Sequence, residues 1–91
     1  MYREWLVAFY RELMASLRRR SWHTQVAVRW TLGWGGSVVR VEICGEESGY
    51  TAYAYRRRDP KKEARRCLDR FAAAKRRGGL SRYSARRYLL R

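Results

Sequence analysis

From Tyr2 to Arg18 the apolar residues Leu6, Phe9, Leu13 and Leu17 recur at intervals of three and four, with Arg3, Glu4, Arg11 and Glu12 elsewhere. That period lays one apolar stripe along a helix. Arg18, Arg19 and Arg20 close the segment, as cations suit the negative end of a helix dipole, and they leave a basic knob beside it. The period then shortens to two. Val26, Val28, Trp30 and Leu32 alternate with Gln25, Ala27, Arg29 and Thr31, the pattern of a half-buried strand. A glycine-rich turn follows, "GWGG" over Gly33 to Gly36, and then a second alternating run. In that run Val39, Val41 and Ile43 face one way and Arg40 and Glu42 the other. After "GEESG", Gly45 to Gly49, the third run "YTAYAY" sets Tyr50, Ala52 and Ala54 against Thr51, Tyr53 and Tyr55. Three strands with two short turns predict an antiparallel meander. A helix packed closely on this sheet would face the alanines, leaving Tyr53 and Tyr55 on the open face with Arg29 and Arg40.

Asp59 and Pro60 predict the start of a second helix. The aspartate can accept from a first-turn N–H, and proline at the first helical position gives up an N–H that would have no intrahelical partner. Ala64, Cys67, Leu68, Phe71 and Ala72 supply its apolar stripe, Lys61, Lys62, Arg65, Arg66 and Arg70 largely line the other side, and Gly78-Gly79 ends it. The pattern therefore predicts an α+β fold: a three-stranded antiparallel sheet with an N-terminal and a C-terminal helix packed on one face, in the order α-β-β-β-α. One domain spans residues 1–79. The remainder, residues 80–91, reads "LSRYSARRYLLR" after Gly79 and is either a short helix capped by Ser81 or an arm ordered only on a partner.

Charge changes this picture from a fold to a partner. The 91 residues carry 22 Lys and Arg against 8 Asp and Glu, a formal charge of +14. From Arg56 onward there are 15 basic and 3 acidic residues, or +12, whereas Met1 to Tyr55 carries 7 and 5, or +2. Self-repulsion of this size opposes folding and is relieved by a polyanion. Nineteen of the cations are Arg, whose planar fork pairs with phosphate at two points and stacks on bases. Yet 46% of the residues are apolar, so the chain has the material for a core and does not read as a disordered tail.

Other chemistries have little to stand on. Cys44, Cys67 and the single His23 fit no metal-ligand spacing. His23 has no evident carboxylate or thiol companion for acid–base or nucleophilic work, so neither catalysis nor a cofactor is expected. No apolar run approaches the roughly 20 residues of a membrane span, and the N-terminus lacks a secretory pattern. A cytoplasmic, virion-associated or nucleoid-associated protein without a membrane partner is the expectation.

The basic run around the second helix carries a resemblance. "KKEAR", Lys61 to Arg65, resembles the KKxAK signature at the start of the last helix of double-stranded-RNA-binding domains, and the α-β-β-β-α order is that family's order. The resemblance implies that Lys61, Lys62 and Arg65 contact phosphates across a groove, helped by the helix N-terminus. Arg56, Arg57 and Arg58 would extend that surface, with Arg66 beside it and Arg82, Arg86 and Arg87 of the C-terminal arm adding contacts. The family's loop between its first two strands carries a Gly-Pro-x-His element, whereas "GWGG" stands here, with Trp34 at its tip as a candidate wedge, stacking residue or protein contact.

Three strands followed by one helix also resemble the DNA-binding domains of the plant AP2 type and the arm-binding domains of some integrases, which lay a sheet face in the major groove. Gln25, Arg29, Thr31, Arg40, Thr51, Tyr53 and Tyr55 would form that face, its tyrosines alternatively stacking on unpaired bases. Glu42 shares it and would repel phosphate. The expected function is non-catalytic binding of the phosphate backbone of structured RNA or duplex DNA. The alternatives are a sheet-face DNA-binding architectural or regulatory protein, archaeal or viral, and a basic module docking an acidic protein. Assembly into a larger ribonucleoprotein or nucleoprotein is compatible with each. An apolar side of the first helix left uncovered would promote a homodimer.

Overall fold

The computed structural model describes residues 2–33, 36–45 and 49–77. The elements follow in the order α1 (Tyr2–Arg19), β1 (Ala27–Gly33), β2 (Val38–Cys44), β3 (Gly49–Tyr55) and α2 (Pro60–Arg76). The three strands form one antiparallel sheet in the order β1-β2-β3. No helix among the described residues is long and apolar enough to cross a membrane.

The helices form where the apolar period placed them. Phe9, Leu13 and Leu17 of α1 are buried with Ala64, Cys67, Leu68 and Phe71 of α2, against Val39, Val41 and Ile43 of β2 and Ala52 and Ala54 of β3. Full burial of side chains of this size stabilises by about 1.5–3 kcal/mol each. The alanines of β3 therefore do face the helices, and the tyrosines face away: Tyr53 is exposed while Ala54 has no accessible surface. Small side chains on this strand let α2 come close. Tyr50, at the start of β3, closes the end of the core, its ring edge-on to Phe71 with centroids 6.3 Å apart. Trp22 meets the same ring from the α1 side at 5.4 Å.

The two helices run side by side in the same sense. Trp5 Nε1 donates to Arg58 O at 2.7 Å near their N-termini, Arg65 lies 3.5 Å from Glu12 midway, and Arg20 pairs with Asp69 near the C-terminus of α1. Ser21, at φ 59°, turns the chain off the end of α1.

One expectation fails. Val28, Trp30 and Leu32 share a face with the core residues of β2, standing opposite Ile43, Val41 and Val39; Val28 is half-buried against the core as its alternation suggests, but the two residues after it on that side are not. Trp30 is 38% exposed and Leu32 49%. Two parallel helices cover β2 and β3, α2 lying against β3, and the layer covers the start of β1 at Val28 but leaves Trp30 and Leu32 exposed. Ala72, placed in the apolar stripe of α2, is only half-buried, while Ala74 and Glu63 are buried there.

Candidate nucleic-acid interface

The basic run folds as a turn and a helix start at the end of β3. Arg56 N donates to Ser37 O at 3.1 Å, continuing the β2–β3 ladder one step, and Arg58 N donates to Tyr55 O at 3.0 Å, closing the turn. Asp59 then caps α2: its backbone is extended (φ −64°, ψ 125°), and its carboxylate accepts from Lys62 N at 3.0 Å. Pro60 occupies the first turn as expected. The capping satisfies one orphan N–H and leaves the positive end of the helix dipole at the surface. The Trp5 bond to Arg58 O fixes this turn to α1, so the corner is held from three sides.

Around the corner, Arg56, Arg57, Arg58, Lys61, Lys62 and Arg65 are all exposed. Arg56 also reaches Gly36 O at 3.4 Å, and Arg58 lies over the Tyr55 ring, 5.1 Å from its centroid. Between the β2 and β3 ends, Ser37, Val38, Tyr55, Arg56 and Arg57 line a depression of about 470 Å³. The geometry brings together, at one end of the molecule, two exposed cation groups: three arginines after β3 and three cations in the first turns of α2.

Arg66 has a different place. The sequence pattern puts it on the solvent face, but its side chain folds back onto Glu63, donating through Nε at 3.0 Å and Nη2 at 2.9 Å, and also donates to Tyr53 O. Glu63 is 3% exposed and accepts from Tyr55 N at 2.8 Å. Burial pushes the Glu63 carboxyl up, and the hydrogen bonds from Arg66 and the Tyr55 amide more than reverse this, holding it below the usual carboxylate range. The same Glu63 bond raises Arg66. The one acid inside "KKEAR" is thus turned away from the cationic surface and neutralised within the fold. Sequence reading missed this pair, although the three-residue spacing of Glu63 and Arg66 is the available signal for it.

Glu12 does similar work on α1. It accepts from Arg19 and Ser16, which lower its carboxyl, and lies within ion-pair distance of Arg65. Arg65 remains about half exposed despite that pairing.

The open sheet face presents a second constellation. The register sets Thr31, Arg40 and Tyr53 in one row and Arg29, Glu42 and Thr51 in the next. Arg40 bonds Glu42 at 3.0 Å and covers it, leaving the Glu42 side chain 5% exposed. The expected repulsion of phosphate by Glu42 is accordingly muted by its own neighbour. Tyr53 and Tyr55 stand exposed on this face, although Arg58 and Arg66 already lie over the Tyr55 ring, at 5.1 Å and 5.9 Å.

Trp34 and the arm residues Arg82, Arg86 and Arg87 lie outside the described residues. Cys44 and Cys67 are both buried free thiols; burial raises both and pushes Cys67 up to about 11, which leaves it a poor nucleophile at neutral pH. Among the described residues no group of three or more His, Cys, Asp or Glu is placed to hold a metal ion.

Compared with protein-family models, with curated proteins and with solved structures, the chain finds no match.

Proposed function

We propose that this chain is a non-catalytic nucleic-acid-binding protein that grips the phosphate backbone of structured RNA or duplex DNA with the corner where β3 meets α2. The reading rests on one observation: six cations, Arg56, Arg57, Arg58, Lys61, Lys62 and Arg65, are exposed around a capped helix N-terminus whose only first-turn acid, Glu63, is turned inward. Backbone amides at a helix start and charged forks beside them make an anion site that phosphate fits. The α-β-β-β-α topology with parallel helices on one sheet face supports a double-stranded-RNA-binding-like docking, in which this corner meets phosphates across a groove.

Titration against double-stranded RNA and duplex DNA at several salt concentrations tests this. Replacing Lys61, Lys62 and Arg65 together with Ala should weaken binding. It should also flatten the salt dependence by about 0.9 log units per log unit of salt for each phosphate on duplex DNA that no longer has its cation. An unchanged slope refutes the corner as the binding surface.

The exposed Tyr53 beside the half-buried Arg40 favours a second reading, in which the open sheet face lies on duplex DNA. In that case Tyr53→Ala and Arg40→Ala would weaken binding more than the helix-start triple variant does. Binding to an acidic protein with no nucleic-acid affinity at low salt would replace both.

A further inference from the structure

We infer that two copies of this chain pair through the outer edge of β1, antiparallel and about a twofold axis at Trp30, joining their sheets into one of six strands. The starting point is the direction of the backbone. On β3, Tyr55 N and Tyr53 O point away from β2, since they bond to Glu63 and Arg66. Antiparallel alternation then points Ala52 and Ala54 toward β2, and in turn Val38, Arg40 and Glu42 of β2 toward β1. On β1 the outward N–H and C=O groups therefore belong to Val28, Trp30 and Leu32. Among the described residues no hydrogen bond caps them, and an open edge of this kind is a template for another strand.

The side chains beside that edge are apolar and uncovered. Trp30 and Leu32 extend past the helix layer, and Val7 and Tyr10 of α1 are 41% and 46% exposed. Leu6, Val7, Tyr10, Arg11 and Trp30 line a groove of about 420 Å³.

Charge selects a second copy as the occupant. Two molecules of +14 repel least where their cations are sparse, and this edge carries few: Arg29 in the seven residues of β1 and Arg11 in the groove beside it. A nucleic acid or an acidic protein would instead seek the corner between β3 and α2, where the cations gather. The twofold register is also self-consistent. With Trp30 opposite its copy, Val28 faces Leu32 on the apolar side and Arg29 faces Thr31 on the other, so no like charges stand directly across. The twofold axis is perpendicular to the sheet, so both helix layers lie on one side and the two grooves along α1 face each other across it. The interface is isologous, as in most homodimers.

The test is sedimentation equilibrium of the full chain without nucleic acid, in salt high enough to screen the charge, over a wide concentration range. The expected mass is twice 10.9 kDa, falling to 10.9 kDa on dilution. Trp30→Arg, which sets two cations on the axis, should weaken association at least tenfold while leaving the circular dichroism spectrum unchanged. Should that variant fail to fold, spin labels on Thr31→Cys and on Tyr53→Cys, both exposed, decide the edge. Labels at residue 31 should be the closer pair between copies. A single 10.9 kDa species at every concentration overturns the inference, as does a dimer whose closer labels are at residue 53.

Discussion

β1 and β3 both flank β2, both run seven residues, and both turn one side of alternate residues toward the helices. Their surroundings differ completely. After Tyr50 at the strand's start, the helix-facing residues of β3 are alanines, and α2 comes close enough to send Glu63 and Arg66 over the strand to its outer edge. The helix-facing residues of β1 are Val28, Trp30 and Leu32, larger and more apolar, yet the last two stay exposed. The small side chains lead to the better-covered strand because they admit a helix. What an apolar side chain contributes depends on whether a second layer reaches it, and in this fold the layer is two helices wide.

The largest way to break the contrast is at Glu63. Its replacement by Ala leaves the Tyr55 amide without its acceptor and Arg66 with only Tyr53 O, and should cost about 3 kcal/mol of stability, measured by urea unfolding. A loss below about 1 kcal/mol would show that water replaces the carboxylate and that the β3 edge is not held by this pair.

The same group gives a pH signature. Its folded-state value is lowered, so its stabilisation is fully present above the unfolded-chain value near 4.3 and is lost as the pH falls through the folded-state value. Glu12, lowered chiefly by Arg19, adds in the same direction. Unfolding free energy should therefore fall on acidification from about pH 5, and Glu63→Gln should flatten that fall. An identical pH profile in the variant would remove Glu63 as its source.

Amide hydrogen exchange compares the two edges directly. The Tyr55 amide should be protected in dilute protein, and the Trp30 amide should exchange at a rate near that of an open chain. Raising the protein concentration should slow exchange at Trp30 and leave Tyr55 unchanged. Protection of Trp30 at every dilution would mean that its edge is covered within one chain.

The smallest effect belongs to Leu32→Ala. With the side chain half exposed, the dilute protein should lose no more than about 0.5 kcal/mol, by the same urea measurement. A larger loss would place Leu32 within the core.

Much of this architecture is local, and what is local is legible in the sequence. The spacing of Leu6, Phe9, Leu13 and Leu17 specifies a helix face without reference to anything distant, and Asp59-Pro60 specifies a helix start within four residues. The alternation in β3 also points to the correct side, since only alanines allow a close helix. The same reasoning overreaches at β1. Alternation tells which side of a strand is apolar, and it is silent on whether a helix reaches that far. Arg66 escapes for a related reason: it lies at the border of the helical face, and only the passage of α2 along the β3 edge decides that it turns inward. The exposed cations Lys61, Lys62 and Arg65 are readable because they sit on the side of α2 away from its apolar stripe. Glu63, which organises the corner, looks in the sequence like an interruption of a basic run.

The capping of β3 has a consequence for stoichiometry. A sheet with two open edges can add copies without end, and a protein with such edges risks fibres as its concentration rises. Here Glu63 and Arg66 take up Tyr55 N and Tyr53 O on one edge, which disfavours strand addition there. If β1 pairs with an identical chain, both ends of the joined sheet are β3 strands whose Tyr55 N and Tyr53 O are already bonded. On the proposed pairing, a buried carboxylate and its arginine would limit the assembly to two chains.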